Sequence, residues 1–146
     1  MKRFFVVVTL LITAVAVIGV ACKSKTEGTG GGMPAGKLIA TVKVNSLTAT
    51  LLNSTGQLKR GDQEVTLAFN DASGKPVDVG AVSLNFHMPQ MAGMAEMNAA
   101  VTLTTTDTPG VYRGKVNIEV AGEWQGQLAI EGPAGKGKAT FTVNAQ

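Results

Sequence analysis

The chain has 146 residues, with 13 Lys and Arg against 10 Asp and Glu, a formal net charge of +3 and a pI near 9.2. That length fits one domain. Its single cysteine rules out an intramolecular disulfide, and its single histidine argues against a multi-histidine zinc centre.

Met1-Lys2-Arg3 opens the chain, and an uncharged stretch runs from Phe4 to Cys22. A basic start, an apolar run and a small-residue end make a secretory signal, expected over residues 1–21. The run is close to a bilayer span, so an uncleaved anchor is the competing reading. Gly19-Val20-Ala21-Cys22 resembles the lipobox of bacterial lipoproteins, although Leu is the usual residue where Gly19 stands. That resemblance implies lipidation of Cys22, and a two-chain anchor of this kind holds stably to a membrane. The expected location is the cell envelope, on the periplasmic or extracytoplasmic face. Loss of Lys2 and Arg3 with the signal leaves 11 basic and 10 acidic residues, with no basic stripe suggesting nucleic acid.

Residues 22–36 comprise Cys22 and the segment KSKTEGTGGGMPAG, whose Gly-rich polar composition predicts a flexible tether spanning about 20 Å. Residues 37–146 then read as one domain. Runs 38–44 and 47–52 are candidate strands. Val65, Leu67 and Phe69 alternate with polar residues, as do Val82, Leu84 and Phe86, then Val101 and Leu103. The same period continues through Tyr112–Val120, Trp124–Ile130 and Ala139–Val143. Each run predicts a strand with one dry face and one wet face. Asp71–Pro76, Asp107–Gly110 and Gly132–Gly135 supply turn chemistry between them. Seven or eight short antiparallel strands without an amphipathic helix predict an all-β, immunoglobulin-like β-sandwich.

Residues 86–98, FHMPQMAGMAEMN, break the pattern. They hold the only histidine and four of the six methionines. Pro89 cannot donate to a ladder, so the segment is expected to be a loop at one end of the domain, where sites are commonly carried. His87, Met88, Met91, Met94 and Met97 are the candidate metal ligands. Thioethers are soft and suit Cu(I), imidazole suits copper as well, and a thioether needs no deprotonation. Packing explains the same residues differently. Met fills irregular gaps, alternation puts Met88 on the face of Leu84 and Phe86, and His87 falls on the wet face. Met-rich surfaces also serve as adaptable contacts, so a structural or adaptor module is the second functional reading. Tyr112, after a Pro-Gly turn, and Trp124, on a dry face, read as structural aromatics, Tyr112 in the manner of a tyrosine corner.

Gly61-Asp-Gln-Glu-Val-Thr-Leu, Asp71-x-x-Gly-Lys-Pro-Val, Phe86-x-Met-Pro-x-Met-x-x-Met, Pro109-Gly-Val-Tyr112 and Gly122-Glu-Trp124 together resemble the YtkA-like domain, related to the FixH-like family. The resemblance covers roughly residues 38–146. It implies an immunoglobulin-like sandwich outside the cytoplasmic membrane, found in small lipoproteins or beside heavy-metal efflux and copper-oxidase assembly proteins. It places Met88, Met91 and Met94 on the family's methionine loop. No nucleophile elbow, phosphate loop or calcium loop is present, so a non-catalytic protein is expected.

Overall fold

The computed structural model describes residues 34–146, all β and turn, with no helix among them. The signal, Cys22 and most of the tether lie outside the described residues. Eight strands follow in chain order: β1 Lys37–Val44, β2 Leu47–Asn53, β3 Gly61–Asn70, β4 Ala81–Met88, β5 Met97–Thr105, β6 Val111–Ile118, β7 Gly122–Gly132 and β8 Gly135–Ala145. They form one antiparallel succession, β1-β2-β3-β6-β5-β4-β7-β8. Alternation gives each strand its inner face. Along β6, for example, Tyr112, Gly114, Val116 and Ile118 are buried while Arg113, Lys115 and Asn117 are exposed.

The sheet curls until its edges meet, giving a nearly closed, barrel-like body. Leu58 bridges Ala145 beside the end of β8, and β1 packs against β8. A Cβ on Gly137 would lie 2.6 Å from Val44 Cγ1, so this approach of β8 to β1 depends on a residue without a side chain. Asn45 sits at the β1–β2 turn with φ of 56°, a conformation its short amide side chain tolerates, and its Nδ2 donates to Lys136 O at 3.1 Å. Strand β5 divides its length. Residues up to Val101 pair with β4, and from Thr102 onward the ladder is with β6.

The interior is one cluster that includes Leu51, Leu67, Phe69, Phe86, Trp124 and Leu128. Phe141 reaches over Gly126, where any Cβ would overlap its ring, and meets Phe86 edge to face at 6.4 Å and 85°. No buried side-chain polar atom among the described residues lacks a hydrogen bond.

Strand directions give the body two rims. One holds the β3–β4, β5–β6 and β7–β8 connections. Residues 71–80 thread across it. Val77 and Val79 press so closely on Gly110 and Gly132 that no Cβ fits at either glycine, and Val79 is fully buried. Tyr112 Oη donates to Gly80 O at 3.0 Å and lies 3.3 Å from Asp78 Oδ1, while its ring meets Phe69 edge to face. The tyrosine therefore pins a remote connection, not the few residues before it as a tyrosine corner does. The other rim carries the start of β1, the β2–β3 loop, the β4–β5 hairpin tip and the β6–β7 turn.

Candidate functional site

The Met-rich segment is mostly strand. The ladder between β4 and β5 pairs Phe86 with Ala99, His87 with Asn98 and Met88 with Met97, so only residues 89–96 lie between the strands. The expected loop over 86–98 is shorter by several residues at its two ends, because backbone pairing carries on past the apolar alternation. Pro89 stands immediately after the last residue of β4, as its missing N–H requires.

The tip closes on itself. Met91 N donates to Met94 O at 3.2 Å and Met94 N to Met91 O at 3.0 Å, around Ala92-Gly93. Gly93 takes φ of 87°, which the second central position of a type II turn demands. The four methionines thus form two cross-strand pairs, 88 with 97 at the root and 91 with 94 at the tip.

The two pairs differ in surroundings. Met88 is 1% exposed and belongs to the core, with its methyl group turned toward Gly122. Met97 is half-buried and packs against the same core. Met91 and Met94 are 47% and 41% exposed. Directly opposed residues of an antiparallel pair have Cβ atoms about 5 Å apart and side chains on one face, so these two thioethers can close on a single ion.

His87 faces away from Met88, because neighbours on a strand point to opposite faces. The five candidates are therefore not brought to one point. On the outer face Asn98 Oδ1 accepts from Asn85 Nδ2 at 3.1 Å and lies 3.1 Å from His87 Nδ1. An amide oxygen only accepts, so a hydrogen bond to Asn98 Oδ1 calls for a proton on Nδ1 and leaves Nε2 outside that contact. Fixing one ring nitrogen through a hydrogen bond is how proteins prepare the other as a ligand. Asn98 was not among the candidates; its role follows from the register, which pairs it with His87. Among the described residues no three His, Cys, Asp or Glu side chains gather as a metal site.

The remaining candidates have structural partners. Trp124 is buried, with Nε1 donating to Val120 O at 3.1 Å. Burial, followed by the charge of Asp78, raises the Tyr112 hydroxyl above its ordinary value. Asp71 is held below the usual carboxylate range, first by the Ser73 hydroxyl and then by the Lys75 amide. An open groove of about 580 Å³ beside the β2–β3 loop is lined by Arg60, Asp62, Glu64 and Arg113 among others, and includes none of the hairpin residues.

Compared with known proteins, residues 41–129 match the family described as YtkA-like, a span that contains the whole hairpin, Tyr112 and Trp124. A crystal structure of a DUF4426 family protein from Pseudomonas aeruginosa PAO1 is similar over 72% of this chain and 93% of that one, with 15% identity and a TM-score of 0.48. No curated protein matches the chain.

Proposed function

Starting from a chain that belongs to the YtkA-like family, we propose that it binds a soft metal ion, Cu(I), at the β4–β5 hairpin and takes part in copper handling, resistance or oxidase assembly as a non-catalytic envelope lipoprotein. The observation that carries this reading is the exposed, cross-strand pair of Met91 and Met94. Two neutral thioethers on one side of a turn suit a soft monovalent ion and leave it exchangeable. Met97 and His87 Nε2 are the nearest further donors along the strands, and Met88 is assigned to the core. In this reading the lipid on Cys22 holds the domain at the membrane. The immunoglobulin-like arrangement belongs to the same reading, and the division of β5 between β4 and β6 supports it.

Titration with Cu(I) against a competing chelator tests the site. The pair Met91→Ser and Met94→Ser is expected to weaken binding at least tenfold, and unchanged affinity removes the proposal.

One observation favours a second reading, an adaptor for a membrane efflux or oxidase subunit. Met91 and Met94 are also two of three exposed large hydrophobic residues among those described. Capture of one membrane protein at equal yield with and without copper supports the adaptor.

A further inference from the structure

The two rims differ in polarity. The rim threaded by residues 71–80 exposes no large hydrophobic residue, whereas Leu38, Met91 and Met94, the exposed large hydrophobics among the described residues, all lie toward the opposite one. The chain also enters the domain there, at Lys37. Residues 23–36 separate β1 from Cys22 and the uncharged run before it. A chain of 14 residues spans about 20 Å when flexible. An 11-residue strand such as β8 rises about 35 Å, so the far rim meets the membrane only when that segment is stretched well past its average span, whereas the near rim needs no stretching.

We propose that the hairpin rim docks on the lipid bilayer, with Leu38 on one side and the Met91–Met94 tip on the other touching the interface. This rests on the N-terminal membrane attachment proposed above, which makes the contact intramolecular, so modest apolar area suffices. The charges at the rim are mixed, Lys37, Lys59 and Arg60 against Asp62, Glu96, Glu119 and Glu123. The balance favours a contact that needs no anionic lipid and survives salt.

The test uses the full-length chain in phosphatidylcholine vesicles with a metal chelator present. Cys22→Ser removes the native thiol and keeps the apolar run as the attachment. A polar fluorophore is placed on Ala95→Cys at the hairpin, or on Ser73→Cys at the opposite rim, and quenched with doxyl lipids. Quenching at position 95 is expected to exceed that at 73 at least threefold. Adding Leu38→Ser, Met91→Ser and Met94→Ser is expected to bring position 95 down to the level of 73, with buried-type Trp124 emission reporting an intact fold. Equal quenching at the two labels, or no response to the triple replacement, overturns the proposal. Energy transfer between labelled copies without doxyl quenching assigns the rim to a second copy and overturns it as well.

Discussion

Replacing Met88 by alanine separates the structural methionine from the exposed pair. The side chain is 1% exposed and its methyl group lies against the start of β7, where Gly122 leaves room for it. Truncating a buried Met costs about 2–5 kcal/mol through lost transfer energy and the cavity left behind. A value near 3 kcal/mol, with a urea slope of about 1.5 kcal/mol/M, lowers the midpoint by roughly 2 M. Met91→Ala and Met94→Ala remove half-exposed side chains from a two-residue turn and are expected to stay within about 0.5 kcal/mol of the parent. Urea unfolding followed by Trp124 emission measures all three. Met88→Leu keeps the volume and removes the sulfur; it is expected to cost under about 1.5 kcal/mol and to leave Cu(I) affinity unchanged. A Met88→Ala midpoint within 0.3 M of the parent (about 0.5 kcal/mol on that slope) refutes the division of roles. So does a tenfold affinity loss in Met88→Leu.

Gly126→Ala forces a Cβ into the Phe141 ring, and the overlap is expected to destabilise the domain by about 1–3 kcal/mol, read as a lower thermal midpoint. Tyr112→Phe loses the bond to Gly80 and is expected to cost about 1 kcal/mol at neutral pH. The raised hydroxyl pKa gives stability that is whole below the unfolded value near 10 and falls as pH climbs above it, since the unfolded chain then releases a proton the folded one retains. Denaturant titrations across that window are expected to show the decline in the parent and not in Tyr112→Phe. Asn98→Ala frees the His87 ring; two-dimensional NMR of the imidazole is expected to show the Nδ1–H tautomer in the parent and a mixture in the variant, without loss of fold.

The strands were legible because antiparallel strands with one buried face write their burial as a period of two. Six of them showed it as runs such as Val65-Leu67-Phe69. The period ran through Met88 at the end of β4, but the start of β5 at Met97-Asn98 did not show it, because Asn98 and Ala99 give no apolar alternation there. Composition marked residues 86–98 as unusual and alternation already put Met88 with Leu84 and Phe86, but the pairing of Met91 with Met94 and their exposure came only from the register. The 71–80 connection failed for a different reason. Asp71-Ala-Ser-Gly reads correctly as a turn, and Asp71 Oδ1 does gather the Ser73 and Lys75 amides. What lets this segment lie flat on the rim is the absence of side chains at Gly110, against Val77, and at Gly132, against Val79, some 30 to 50 residues further along the chain. Whether the curled sheet is closed likewise rests on Gly137 against Val44, a contact between the last strand and the first.

The hairpin joins two requirements that seldom share one short segment. Its root must be apolar and fixed, since Met88 belongs to the core at that rim and Met97 packs against it. Its tip has no packing duty, because Gly93 has no neighbouring atom within 4 Å of where a Cβ would lie and Met91 and Met94 are substantially exposed. Selection for folding therefore acts on the first pair and leaves the second free. A protein with no use for the tip gains solubility by making it polar, because exposed apolar side chains invite association. Two opposed thioethers there, on a rim whose other exposed large hydrophobic among the described residues is Leu38, are what a ligand or a surface for that tip would explain. Metal and membrane make different demands on the same sulfurs. A Met91→Leu, Met94→Leu chain keeps the apolar area and loses the thioethers, so it is expected to retain doxyl quenching at position 95 while its Cu(I) affinity falls at least tenfold. If quenching at position 95 falls as well, apolar area alone does not hold the rim to the bilayer, and the docking proposal fails.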